Sequence, residues 1–275
     1  MIFALGVGGV AGANVTQLMG LLLGLGGDRV AASNAVLSEH ELEEINTLSP
    51  QNQAVRLLQR SVNGYKGALE QIDSRVDGWR GQIELDEELN KLTYVAYCSS
   101  NLRVRAAAIE ISLAGYKVEK KPESVETQRR LLKDNSNKVL PLWILGLLGN
   151  RGIETETIRR TLIDYLHDND ETTRTWAVNS LAMLGTDDTI EPLIEVFRND
   201  PSAHIRERAA CGLADSGMLT RDQRKKAIPE LLRMSDDPTL DAQTRGWVFQ
   251  ALREIGGESI ASDPSAWHDW WAKRQ

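Results

Sequence analysis

The sequence predicts an all-α fold: an α/α superhelix of about five stacked helix pairs, preceded by a long helix and closed by a Trp-rich helix. Two observations lead to this prediction. Helix start and stop signals recur along the chain after residue 27. The second half also repeats itself about every 35 residues, a spacing typical of helix pairs that stack on one another.

The repeat consists of five segments that each end in glycine, among them "RVRAAAIEISLAG", "RTWAVNSLAMLG" and "RGWVFQALREIG". A leucine or isoleucine stands four residues before each closing glycine, and a lysine or arginine stands eleven before the last four. Amphipathic stretches and Asp- and Pro-containing turns precede the later segments, so each unit is predicted to be helix, turn, helix. The closing glycines are Gly115, Gly149, Gly185, Gly217 and Gly256.

At these residues the chain resembles the HEAT-repeat family, whose second helix typically begins around an Asp/Val-Arg turn and ends in Ala-Leu-Gly. The resemblance covers about residues 86–257. It implies a right-handed superhelix whose second helices line a concave surface that binds a partner. Because such a fold hosts many functions, the resemblance is informative about architecture and nearly silent on chemistry.

Residues 86–275 are therefore predicted to be a HEAT-repeat solenoid that ends in a cap. Asp263 and Pro264 indicate a helix start, and Trp267, Trp270 and Trp271 follow at spacings that place them on one helix face. Terminal repeats need a cover over their exposed core, and large aromatic side chains provide one. The alternative is an aromatic box that holds a ligand.

Residues 28–85 are predicted to form an N-terminal helical region. Ser38 and Glu41 make a capping box, and Ser49-Pro50 starts a second helix. Apolar residues then recur at alternating steps of three and four, which predicts one long helix over residues 50–79, weakened by two internal glycines. This helix is expected to lie along the rest of the fold; the alternative is a homodimeric coiled coil.

Residues 1–27 contain no charged side chain. Gly6–Ala11 matches the G-x-G-x-x-A turn that binds dinucleotides, but no second strand follows and nothing downstream supplies a parallel sheet. The segment is long enough to span a bilayer, so we predict a membrane anchor. A cleaved signal peptide and a buried or partner-bound segment remain alternatives.

The sequence offers no recognisable catalytic motif. Its four histidines are scattered, Cys98 and Cys211 fit no metal-ligand or redox spacing, and no hydrolase elbow or phosphate loop is present. Acidic turns, such as those with Asp168 and Asp241, are interpreted as ion-pair partners of basic residues in neighbouring units. We therefore expect no catalytic residue, no metal and no cofactor.

The charge balance disfavours nucleic acid as a partner. The net charge is −7, and residues 151–275 carry 16 basic and 22 acidic side chains, a balance of −6. A surface that binds phosphates needs clustered lysine and arginine instead.

Periodicity predicts where a partner protein binds. In each second helix, the positions ten and six residues before the closing glycine face the concave side, and the position nine before it lies on the flank. Aromatic anchors and polar side chains on such a face suit a protein partner. The predicted partner-binding residues are Arg105, Trp143, Trp176, Asn179, Glu207, Trp247 and Gln250.

These inferences predict a non-catalytic protein-binding scaffold that is tethered to a membrane or belongs to a membrane complex. An enzyme on the same scaffold, such as a bilin lyase-type protein, is the alternative from another class, and a soluble structural subunit is a third. The expected location is membrane-associated with a soluble helical domain; a cytoplasmic or secreted protein is the alternative.

Overall fold

The computed structural model describes residues 35–134 and 137–274. Apart from one isolated bridge between Val36 and Lys66, the regular secondary structure of these residues is helical, so the predicted all-α fold is confirmed. No helix in the described ranges is both long and apolar enough to cross a membrane. The predictions for residues 1–27 lie outside the described residues.

The N-terminal region contains helices α1 (Glu39–Thr47), α2 (Pro50–Val62) and α3 (Ala68–Trp79). The predicted starts are correct: the Ser38 hydroxyl accepts a hydrogen bond from the Glu41 amide, and the Ser49 hydroxyl accepts one from the Asn52 amide. Such caps satisfy backbone N–H groups that have no partner within the helix.

The prediction of one long helix over residues 50–79 is wrong. Gly64 and Gly67 have φ values of +77° and +91°, which an α-helix cannot contain, so the chain turns there and α2 packs against α3. The apolar residues that recur at steps of three and four are largely buried in the chain's own core, so they do not form a free surface for a homodimeric coiled coil. Those that are fully or nearly fully buried are Leu58, Ile72, Val76 and Trp79.

Five helix pairs follow, and within each pair the two helices pack together. A π-helical segment, Gly212–Ser216, continues the second helix of unit four, and a short helix α12 (Arg221–Lys225) leads to unit five. Units one to five are α4 (Glu87–Tyr97) with α5 (Leu102–Gly115), α6 (Pro122–Asp134) with α7 (Val139–Asn150), α8 (Thr155–Tyr165) with α9 (Glu171–Leu184), α10 (Ile190–Asn199) with α11 (Ala203–Cys211), and α13 (Ile228–Asp236) with α14 (Ala242–Gly256).

The apolar core has two parts that meet at α5. Ile111 of α5 belongs to the cluster formed with α1–α4, whereas Ile109 and Leu113 belong to the cluster that runs on through the later units. Both faces of α5 are therefore buried, which joins the N-terminal region to the solenoid.

Second helices of adjacent units pack closely, above all α7 against α9. A Cβ atom placed on Gly146 would lie 2.8 Å from the Ser180 carbonyl oxygen and 2.9 Å from the Ser180 Cα. Since these are backbone atoms, the two helices could not stay this close with a larger residue at position 146.

Ion pairs link consecutive units as the sequence predicts. Lys138 Nζ lies 2.5 Å from the Asp168 carboxylate. Arg174 Nε lies 2.9 Å from the Asp200 carboxylate. One unit later, Arg206 Nη2 lies 3.1 Å from the Asp241 carboxylate. The hydrogen bond from Lys138 lowers the pKa of the Asp168 carboxyl. We call the basic residues eleven positions before the last four closing glycines the basic ladder; its members are Lys138, Arg174, Arg206 and Arg245.

The last helix, α15 (Pro264–Ala272), covers the end of the stack. Trp267 is completely buried, and its indole N–H donates to the Ala261 carbonyl oxygen at 3.0 Å. Trp270 packs edge-on against Trp267 and contacts the position of Gly256 at the end of α14. This arrangement is that of a cap, as the sequence predicts.

Candidate interaction surface

The predicted binding residues occupy the inner face, defined as the positions ten, nine and six residues before each closing glycine. The structure divides these residues into two groups. Arg105, Trp176 and Asn179 are buried by contacts within the chain, whereas Trp143 and the predicted residues in units four and five remain partly exposed.

Arg105 does not line an open surface, and its predicted role in partner binding is therefore wrong. Its side chain is buried, with the residue 1% exposed, and Nη1 donates to the carbonyl oxygens of Asp215 at 2.6 Å and Gly217 at 2.7 Å. Nε donates to the Ser99 carbonyl at 2.5 Å. The first unit thus packs across the inner face onto the π-helical segment of unit four instead of extending an open row.

An aromatic row makes a second contact between the first unit and the later ones. Trp143 of α7 packs edge-on against Tyr97 of α4, with ring centroids 5.4 Å apart, and against Trp176 of α9 at 5.8 Å. The Tyr97 hydroxyl donates to Ser112 Oγ at 2.9 Å. Such ring pairs contribute more stabilisation than the burial of their apolar area alone, so Trp143 and Trp176 stabilise the contact between units.

Asn179 is also engaged within the chain. Its side-chain oxygen accepts hydrogen bonds from Arg208 Nε at 3.1 Å and Arg208 Nη2 at 2.7 Å, and the residue is 9% exposed. Asn179 therefore holds an arginine of the neighbouring unit in place.

The remaining predicted residues are Glu207 of α11 and Trp247 and Gln250 of α14. Together with Gly246 of α14, which occupies another inner-face position, they form what we call the distal patch. The three side chains are half-buried, and Gly246 is exposed. A Cβ atom added at Gly246 would meet no atom within 4 Å. The distal patch therefore combines an aromatic side chain, polar side chains and open space beside them.

Cys98 and Cys211, which fit no metal-ligand or redox spacing in the sequence, lie near Arg208. The pKa of the Cys98 thiol is raised by partial desolvation although the residue is exposed, and burial raises the pKa of Cys211 to about 12. Burial also raises the pKa of the nearby Tyr94 hydroxyl to about 12. These groups are protonated at neutral pH, whereas a nucleophilic cysteine or a general base needs a lowered or intermediate pKa.

No cluster of His, Cys, Asp or Glu suited to a metal ion occurs among the residues that the structure describes. The acidic turns are instead used by the basic ladder and by helix caps. Asp170 accepts from the Thr173 amide and hydroxyl, and Asp241 does the same for Thr244.

Stacked helix pairs with an inter-unit ladder define the class of α-solenoid proteins. Within that class, residues 129–214, from α6 to the π-helical segment, match a family model described as HEAT repeats. Residues 129–214 therefore contain HEAT repeats, as the resemblance implies for this part of the chain. A comparison with curated proteins finds no match.

Proposed function

We propose that the chain is a non-catalytic scaffold that binds a partner protein through the distal patch. HEAT repeats are interaction scaffolds, and this supports a protein partner in general. The observation that carries the finer proposal is the open space at Gly246 beside half-buried Trp247, on an inner face where Arg105, Trp176 and Asn179 are buried by the chain itself.

The chemistry of the distal patch suggests the kind of partner. Trp247 offers an aromatic anchor, the residue type that most often dominates interface energetics. Glu207 and exposed Glu254 place carboxylates on the same side of α11 and α14, and residues 151–275 carry an acidic excess. A protein segment that presents an apolar side chain beside lysine or arginine fits this surface.

The change Gly246→Arg tests the proposal, because it adds bulk and positive charge to the distal patch without a clash inside the chain. Arginine favours a helix more than glycine does, by up to about 1 kcal/mol, so folding is expected to be retained. We expect a protein that co-purifies with the tagged wild-type chain to be lost with Gly246→Arg. Affinity purification with quantitative mass spectrometry measures this.

The matched control is Gly78→Arg, which changes an exposed glycine in α3 that also has no atom within 4 Å of an added Cβ. The partner should be retained with this variant. If the same proteins co-purify with both variants, or if both lose them equally, the distal patch is not the binding surface.

We also propose that residues 1–27 attach the scaffold to a membrane, since they carry no charge over a length that spans a bilayer. The full chain is then expected in the membrane fraction. A chain that begins at residue 35 is expected in the soluble fraction, and its helical circular dichroism should be unchanged. Recovery of the full chain in the soluble fraction alone contradicts membrane attachment but leaves partner binding untouched.

A further inference from the structure

Unit one closes onto the π-helical segment beside the distal patch. The Ser99 carbonyl oxygen accepts a hydrogen bond from Arg105 Nε at 2.5 Å, and Arg105 Nη1 donates to the Asp215 carbonyl oxygen at 2.6 Å. One guanidinium group therefore joins the end of α4 to the segment that continues α11. Cys98, the residue directly after α4, adjoins this junction and is exposed.

Two side chains of unit one lie beside the same arginine of unit four. Burial raises the pKa values of the Tyr94 hydroxyl and the Cys98 thiol, and the positive charge of nearby Arg208 lowers both in part. Arg208 points toward α9, because its Nε and Nη2 donate to the side-chain oxygen of Asn179. Tyr94 and Cys98 therefore stand on the α9 side of α11.

Helix α14 packs against α11 and the π-helical segment on the other side. Gly246, Gln250 and Glu254 follow one another at four-residue intervals, so they share one face of α14. Gln250 Nε2 donates to Glu254 Oε1 at 2.9 Å, which orients this carboxylate. The Glu254 charge reaches α11, where it adds to the effect of burial in raising the pKa of the Cys211 thiol.

These contacts define a cleft whose floor is α11 with its π-helical continuation and whose walls come from unit one and unit five. We call it the inner cleft. The distal patch is therefore one wall and part of the floor of this cleft rather than a flat surface. The residues that matter below are Tyr94 and Cys98 on the first wall, Glu207 and Asp215 on the floor, and Gly246 and Glu254 on the second wall.

The charges in the inner cleft favour a cationic occupant. Glu207 and Glu254 form no ion pair within the part of the chain that the structure describes. Arg208, the cation on the floor, is bound to Asn179 instead. Glu254 stands eight residues after Gly246, which places the two positions about 12 Å apart along α14. A partner helix covers that distance in about two turns.

We propose that the partner protein inserts a single basic helix into the inner cleft, where Tyr94 and Cys98 contact it from the side opposite α14. This inference rests on the proposed function and adds unit one to the binding site. The helix places an apolar side chain beside Gly246 and Trp247, and a lysine or arginine seven or eight residues further along beside Glu254. A charge-assisted hydrogen bond to Glu254 then fixes the orientation of the helix.

A synthetic peptide tests the inner cleft. It has about 18 residues, leucines and lysines arranged on opposite faces of a helix, and a fluorescein label; the same peptide with glutamate for lysine is its control. In fluorescence anisotropy with the purified full chain, we expect the lysine peptide alone to bind. Cys98→Arg, Gly246→Arg and Glu254→Arg should each raise its dissociation constant at least about tenfold. The matched controls Ser100→Arg and Gly78→Arg, at exposed positions outside the cleft, should leave it unchanged.

Alkylation of Cys98 by N-ethylmaleimide reports contact with unit one directly. A saturating amount of the lysine peptide should slow this alkylation about tenfold, and it should have no such effect in Gly246→Arg. Mass spectrometry of proteolytic fragments separates Cys98 from buried Cys211.

If Gly246→Arg weakens binding while Cys98→Arg and the alkylation of Cys98 show no effect, the inner cleft is overturned and the distal patch stands alone. If a protein that is lost with Gly246→Arg co-purifies with the wild-type chain, yet the chain binds neither peptide or both equally, the basic helix is overturned. Failure of the proposed function is a separate result, in which Gly246→Arg loses no partner.

Discussion

Replacing Arg105 with alanine is expected to lower the free energy of unfolding by about 3–4 kcal/mol. The change removes hydrogen bonds to the carbonyl oxygens of Ser99, Asp215 and Gly217, and it leaves buried acceptors without donors. It also empties the volume of a fully buried side chain. Urea unfolding followed by circular dichroism measures the effect.

The matched control is Arg103→Ala, on the same helix turn. Arg103 is exposed, and its ion pair with Glu70, at 2.8 Å, lies on the surface. Such pairs contribute at most about 1 kcal/mol. If Arg105→Ala and Arg103→Ala cost the same, Arg105 does not hold the first unit against the fourth.

The second large effect is expected for Trp267→Ala, which should lower the free energy of unfolding by about 3–5 kcal/mol. The indole ring is completely buried beneath the cap, it packs edge-on against Trp270 at 5.2 Å, and its N–H bonds the Ala261 carbonyl. Loss of the ring opens a cavity where α15 covers the last unit. We expect amide hydrogen exchange to quicken first in α14 and α15, before the rest of the solenoid responds.

Trp271→Ala serves as the comparison, because Trp271 lies on the same short helix and remains partly exposed. Trp271→Ala should lower the free energy of unfolding by less than half as much as Trp267→Ala. An equal cost for both tryptophans, or a uniform rise in exchange along the chain, argues against a cap that protects the end of the stack.

The sequence predicts the solenoid well because its determinants are local or recur at a fixed spacing. In units two to four, the basic residue eleven positions before the closing glycine meets the next acidic turn, as Arg174 meets Asp200. The start of α15 and the burial of Trp267 follow from Asp263-Pro264 and from the need to cover a terminal repeat.

The N-terminal region is predicted less well, because the apolar spacing continues through a turn. Val62 ends α2 and Ala68 starts α3, yet the steps of three and four persist across the break. Gly64 and Gly67 are the local signal for that turn, since both adopt left-handed conformations. Periodicity alone cannot distinguish one long helix from two that fold against each other.

The exposure of the inner-face residues could not be predicted from the sequence of each unit taken separately. Arg105 and Asp215 are 110 residues apart, and no spacing rule links them. The prediction assumed that each unit exposes the same positions, whereas contacts between units bury some of them. Trp176 packs against Trp143 and Asn179 binds Arg208, while the distal patch remains partly exposed.

The packing of the first unit across the inner face is the central claim, and zero-length carbodiimide coupling tests it directly. In the variant Arg105→Lys, the new amine lies beside the carboxylate of exposed Asp215, which is 3.7 Å from the arginine in the native chain. Mass spectrometry should then detect an amide that joins positions 105 and 215. The control Arg103→Lys should couple to Glu70 instead. Coupling at 103 without any 105–215 product, in a protein with native circular dichroism, would contradict the claim.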